Sequence, residues 1–168
     1  MTFWTRSRRQ SRNGALVGGA VSLVVFALVL WIVGTPSMKA ALAAVLFVPG
    51  LVVFVLTGAV ALGRFWTHRF DPLQAAAPES RAFQINQRVL SNSVEQGIIF
   101  VTLGGALVLM GGAWAYSTAL ALAITFGLAR LAFWLGYQRS TFGRSPGMAA
   151  TMLTNLATLL LALGVLLF

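Results

Sequence analysis

The sequence predicts an all-α integral membrane protein, a helical bundle of five spans. Three observations carry this expectation. Hydrophobic residues make up 58% of the chain and charged residues only 9%, whereas a soluble domain carries about 25% charged residues. Five apolar runs, at 14–34, 41–63, 93–113, 117–138 and 148–168, are each close to the roughly twenty residues that cross a bilayer. The basic residues, finally, fall in alternate connections. Arg6, Arg8, Arg9 and Arg12 precede the first run; Arg64, Arg69, Arg81 and Arg88 fill the second connection, and Arg139 and Arg144 the fourth. The first connection holds only Lys39, and the third, "GGAWAYS", holds no charge. This alternation predicts a cytoplasmic N-terminus and a C-terminus on the far side. It also accounts for the net charge of +9 without a nucleic-acid partner.

Residues 1–13 read as a basic cytoplasmic tail and 14–34 as the first span. That run is longer than the 7–15 residues of a signal-peptide core, and no small-x-small cleavage site follows it, so a retained helix is expected. Gly14 and Gly18 stand four apart, a spacing that lets helices approach closely. "GTPSMK" makes the first turn. Pro49-Gly50 falls midway through the second span, where the lost backbone hydrogen bond predicts a bend. "FDPLQAAAPES" is the one polar linker, and Pro78, Glu79 and Ser80 form a helix start. From Ser80 to about Ala113 the third helix would measure about 51 Å at 1.5 Å per residue, more than the roughly 30 Å hydrocarbon core. Its first turns therefore stand among the headgroups, with Glu95 near the cytoplasmic boundary.

The chain has no cysteine, which excludes disulfides, thiolate nucleophiles and cysteine metal sites. With His68 alone, no protein-held transition metal is expected. No internal repeat of solenoid or propeller length is visible. Eleven arginines stand against one lysine, a composition that points to a GC-rich bacterial source and hence to an inner membrane.

Acids are scarce. Asp71, Glu79 and Glu95 are the only three, and Glu95 runs straight into "GIIFVTLGGALVLMGG". Arg81, Gln84, Arg88, Asn92 and Glu95 follow a 3-4-4-3 spacing that places them on one stripe of the third helix. Arg130 and Tyr137 share a face of the fourth helix near its cytoplasmic end. Arg64 ends the second helix at that surface, and Arg144 opens the last one. Charges from four helices thus converge on one leaflet, where ionisable groups normally face the protein interior and find partners. Each has a plainer reading. Arg64, Arg81 and Arg144 would snorkel to phosphates, Glu95 would pair with Arg88 or Arg130, Asn92 would tie helices together, and Tyr137 would join Trp66 and Trp134 in an aromatic belt.

The R-x-x-x-N-x-x-E pattern at Arg88, Asn92 and Glu95 resembles the signature of the MAPEG family, the membrane-associated proteins in eicosanoid and glutathione metabolism. "RLAFWLGYQRSTFGR", with Arg130, Tyr137 and Arg144 seven apart, is similar to the R-x6-Y-x6-R segment of the family's glutathione-conjugating members. Arg64 corresponds to an arginine ending the family's first helix. The resemblance covers residues 40–168 and implies a four-helix core to which 14–34 is an added helix. It implies a homotrimer that binds glutathione between subunits at the cytoplasmic side, beside membrane lipids and a lipophilic substrate. Arg88 and Arg130 would hold the tripeptide's carboxylates bidentately, Glu95 would accept from its α-ammonium, and Asn92 would hydrogen-bond its backbone. Tyr137 would lie near the cysteinyl end. Arg144 would stabilise the thiolate, lowering a thiol pKa from about 8.5 toward neutrality. The thiolate would then attack an electrophilic lipid or reduce a hydroperoxide.

The chain departs from the family pattern in its added helix, in Phe133 where conjugating members have a tyrosine, and in Gln96 where an aromatic residue often follows the glutamate. Three functions are set against one another: a glutathione-dependent transferase or peroxidase, a non-catalytic lipid-binding or scaffold protein of the same fold, and a small transporter. The last has only Thr151, Thr154, Asn155 and Thr158 in the final span to offer as a polar path. The charge alternation makes its own prediction. Reporter fusions should place residues before 14 in the cytoplasm and residue 168 across the membrane; both on one side would mean a first segment that does not span.

Overall fold

In hydrocarbon every backbone N–H and C=O must find a partner within the chain, which leaves helix as the form an apolar run can take. Five helices result: α1 (Phe3–Val33), α2 (Met38–Thr67), α3 (Arg81–Met110), α4 (Ala113–Arg139) and α5 (Ser145–Leu167). All five are long and apolar enough to cross a membrane. The computed structural model describes residues 3–67 and 80–168, with side chains over 9–65 and 80–168, and contains no strand among them. The side chains of Arg6, Arg8 and Trp66, and all of His68, Arg69, Asp71, Pro78 and Glu79, lie outside the described residues.

Local chemistry sets the helix ends. α1 begins at Phe3, so the basic segment expected as a tail is helix continuous with the first span. Gly34 takes φ +62° in the turn after it, a left-handed conformation that favours glycine. Ser80 caps α3, its Oγ accepting from the Phe83 N–H at 3.2 Å, as the sequence led us to expect. α3 stops at Met110, short of Ala113, because Gly111 and Gly112 are both extended. Pro49 lies inside α2, where it packs against Gly97 of α3.

α4 is the central helix. It packs against α1, α2, α3 and α5, while α2 also lies on α3, and α5 on both α3 and α1. Successive helices run antiparallel. One end of the bundle brings together Gly63 with Phe83, Arg88 with Tyr137 and Ser11 with Ser145; we call it the basic end. At the other end the Ser117 hydroxyl donates to the Gly34 carbonyl at 2.6 Å.

Two clusters fill the bundle. Toward the far end, Phe100 stacks on Phe126 with centroids 4.8 Å apart, among Val45, Leu107, Val108 and Leu122. Toward the basic end, Leu56, Ile85, Val89, Phe133 and Tyr137 pack together. Lipid tails are as apolar as leucine, so helices associate through close packing and interhelical hydrogen bonds rather than by leaving water. α4 accordingly buries Ala115, Ala119, Ala123 and Gly127, which let its neighbours come close. Large apolar side chains such as Leu16, Trp31, Phe47, Phe54 and Leu160 face outward, suited to lipid.

The tightest joint lies between α4 and the start of α5. A Cβ at Gly147 would run into the Phe133 backbone nitrogen, and one at Gly136 into the Gly143 carbonyl oxygen. Gly147→Val should therefore prise the first turn of α5 from α4 and cost about 1–3 kcal/mol or more. Gly164, with nothing within 4 Å, should accept valine without loss. Reversible unfolding in mixed detergent would compare the two, and equal midpoints would refute the tight joint.

Candidate functional site

The candidate residues separate into two layers at the basic end. The outer layer joins three helices. The Tyr137 hydroxyl on α4 accepts from Arg88 Nη1 on α3 at 3.4 Å. The guanidinium of Arg144, the residue before α5, lies over the Tyr137 ring at 4.9 Å from its centroid, close enough for a cation–π contact. Tyr137 is buried, whereas Arg88 and Arg144 are exposed. A pocket of about 120 Å³ opens here, lined by Arg81, Gln84, Ile85, Arg88, Tyr137 and Thr141. Its two arginines, with Arg144 across the tyrosine ring, make this corner strongly electropositive.

The inner layer centres on Arg130, only 1% exposed. Its Nε and Nη2 donate to Ser93 Oγ at 3.2 and 2.8 Å, and its Nη1 to Asn92 Oδ1 at 3.1 Å. The guanidinium also lies 4.3 Å from the centroid of the Phe133 ring. The sequence prompts the expectation that Arg130 reaches a ligand or Glu95; the structure turns it inward across α3. Because Arg130 takes up the Asn92 carbonyl oxygen, the amide hydrogens of Asn92 are aimed elsewhere. Asn92 is half-buried, so those donors stand at the edge of the bundle.

Glu95 and Arg64 stand apart. Glu95 is exposed on the same line of α3 as Arg88, and Arg64 is exposed in the last turn of α2. Among the described residues neither pairs with any other candidate. The pairing of Glu95 with Arg88 or Arg130, the plain alternative from sequence, is therefore not made within this chain's described residues. The stripe itself is as expected, with Arg81, Gln84, Arg88 and Glu95 exposed while Phe83, Val89, Ser93 and Gln96 are buried behind it.

Ser93 and Asn86, which sequence reasoning passed over, hold the site in place together with residues it noted for other reasons. Ser93 accepts two of Arg130's bonds while donating to the Val89 carbonyl at 2.7 Å. Asn86 Oδ1 accepts from Trp134 Nε1 at 2.9 Å and from Gln138 Nε2 at 2.7 Å, tying α3 to the end of α4. Gln96, where an aromatic residue was the family expectation, points inward, its Oε1 accepting from Asn155 Nδ2 at 2.8 Å. Thr151, Thr154 and Thr158 are buried and donate to their own helix, to the carbonyls of Gly147, Ala150 and Thr154. Asn155 Oδ1 is buried without a hydrogen-bond partner among the described residues. The available signal was position: Ser93 and Gln96 fall one place beyond the exposed stripe and so face inward.

A second cavity, of about 290 Å³, runs between α2 and α4. Leu51, Val55, Leu56, Leu128 and Trp134 line it, and Arg130 is the only charged residue on its wall. Among the described residues no group of His, Cys, Asp or Glu is placed to hold a metal ion.

No curated protein matches the chain. The model of the MAPEG family matches residues 39–164, from the first turn of α2 into the last turns of α5, and takes in every candidate residue. The chain belongs to the MAPEG family, with α1 outside the matched segment.

Proposed function

We propose that the protein is a glutathione-dependent transferase or peroxidase acting on lipophilic electrophiles, with its basic end at the cytoplasmic leaflet. One observation carries the reading. Guanidinium groups from α3 and from the start of α5 converge on Tyr137, and among the described residues no carboxylate answers them. Such a corner suits a ligand that is itself anionic and becomes more so when its thiol ionises. A fixed cation in a partly dry site favours the charged form of a neighbouring thiol.

In this reading Arg88 binds a carboxylate, Glu95 accepts from the α-ammonium, and Asn92 donates its amide hydrogens to a ligand carbonyl. Arg64 reaches the ligand from a neighbouring subunit of a homotrimer. Arg130 acts one step back, fixing the Asn92 amide rather than touching the ligand. Arg144 stabilises the thiolate. In transfer, the sulfur forms a bond to the electrophilic carbon while the leaving group departs with the electron pair and takes a proton from water. In peroxide reduction, the sulfur takes the terminal oxygen and the O–O bond breaks. The lipid alkoxide leaves and is protonated to the alcohol, and a second thiol attacks the sulfenic sulfur, giving a disulfide and water. The α2–α4 cavity supports the lipophilic half of the reading, since it opens to the membrane with almost wholly apolar walls.

A second reading, a non-catalytic lipid-binding or scaffold protein, draws on Arg130 and Phe133. Arg130 is closed off inside the subunit, and Phe133 brings a cation–π contact in place of a tyrosine hydroxyl. The two readings part at Arg144. Arg144→Ala should leave glutathione affinity within a few-fold of the parent but cut ultraviolet absorbance of the bound thiolate near neutral pH. The loss corresponds to roughly 2–4 kcal/mol of anion stabilisation, the scale of removing one donor from a charged transition state. Glu95→Gln should do the reverse, weakening binding with little effect on the thiolate that does form. Two trimeric variants that bind and ionise glutathione like the parent would hand the case to the scaffold. Mass measurement in lipid nanodiscs tests the shared site, and a clean monomer would sink it.

A further inference from the structure

The family match begins at residue 39, so it assigns no role to α1. Yet α1 makes its closest approach at one place, the start of α5. The hydroxyls of Ser11 and Ser145 lie 3.2 Å apart in a hydrogen bond. One turn on, a Cβ at Gly14 would stand 3.2 Å from the Ser145 Cβ, and another turn on, a Cβ at Gly18 would run into the backbone of Pro146. At Gly18 the contact is backbone against backbone, and at Gly14 it is against the side chains of Ser145 and Pro146. The residue before them is Arg144.

α4 grips the same turn from the other side. Gly143 meets the Gly136 carbonyl and Gly147 meets the Phe133 backbone. The main chain from 143 to 147 is therefore wedged between two helices, and the guanidinium over Tyr137 extends from the middle of the wedge. Neither helix alone fixes that turn, because a chain gripped on one side keeps its freedom to tilt away.

We infer that α1 is a positioning element for Arg144: Gly18, Gly14 and Ser11 hold the first turn of α5 against α4, and so set the reach of the guanidinium toward the ligand thiol. The inference rests on the reading of Arg144 as the thiolate-stabilising residue. Its physical basis is the sharp dependence of such chemistry on placement, since a displacement of about 1 Å can cost about 100-fold. A backbone-to-backbone seat on glycine transmits movement where longer side chains would flex and absorb it.

The test uses the full chain in nanodiscs, with Gly18→Leu set against Gly19→Leu. Gly19 has nothing within 4 Å, so it adds the same side chain to the same helix without touching α5. Gly18→Leu should speed amide hydrogen exchange over residues 143–148. It should also raise the apparent pKa of bound glutathione by about one unit, the scale expected when an opposite charge withdraws. Glutathione affinity should stay within about twofold, because Arg88, Asn92 and Glu95 are on α3. Gly19→Leu should match the parent in all three. Unchanged exchange at 143–148 in Gly18→Leu overturns the inference, as does faster exchange with an unshifted thiol pKa. A parent protein that binds glutathione without ionising it overturns the catalytic reading of Arg144 and this inference with it, an outcome distinct from the other two.

Discussion

The buried guanidinium of Arg130 fixes the rotation of α3, and what α3 presents outward follows from that. Three of its hydrogen bonds end on Asn92 and Ser93, so these residues must face α4. A helix turns about 100° per residue. Glu95, two residues past Ser93, is therefore carried about 200° round, and Arg88, five residues before it, about 140° away. Both side chains are exposed there, Arg88 still reaching the Tyr137 hydroxyl on α4. Removing one partner from such a buried charge leaves its donors unmet, at about 1–3 kcal/mol or more, so α3 has little freedom to roll. A single inward cation thus determines which polar groups the subunit offers to its surroundings.

Packing around α4 obeys a related constraint. Four helices can crowd one only if its surface is nearly smooth, and α4 meets this with alanine and glycine along its length. Smooth surfaces grip well but carry little information about register. That information is supplied by polar ties: Asn86 to Trp134 and Gln138 and Arg130 to Ser93, with Gln96 to Asn155 aligning α3 and α5 midway along the bundle. Interhelical hydrogen bonds in membranes contribute only about 0.6 kcal/mol on average. Their effect here is chiefly on alignment, because each has one register in which both partners are met.

How far the sequence could be read follows from the same physics. Spans, the antiparallel order and the Ser80 cap were legible because length, charge alternation and capping chemistry act locally. The stripe from Arg81 to Glu95 was legible as a line, since helical period alone defines it. Which side of that line is buried was not, for that depends on Ser93 finding Arg130 on another helix, thirty-seven positions away. Arg130 was expected to hold a ligand carboxylate or to pair with Glu95, and its bonds to Asn92 and Ser93 depend on the same unseen contact. Gln96 was noticed only as a departure from a family pattern, and its tie to Asn155 explains the inward-pointing amide. The seat of α1 was half-visible in Gly14 and Gly18, but the spacing named no partner, and Pro146 gives no sequence sign of being one.

Glu95 is the residue for which the fold itself supplies least. A carboxylate on the exposed face of a membrane helix is unfavourable in proportion to its depth, up to about 3.5 kcal/mol at the bilayer centre, and within the described chain nothing offsets it. Arg88 lies seven residues earlier on the same line, which is about 10 Å along the axis. The pair thus presents a positive and a negative charge from exposed side chains on one helix, Arg88 also reaching Tyr137. Three extended residues span about 10 Å, so a tripeptide with a carboxylate at one end and an ammonium at the other has the length and the polarity to meet both. On the proposed reading, the exposed acid, costly to an isolated subunit, is one end of a site for a small zwitterionic peptide.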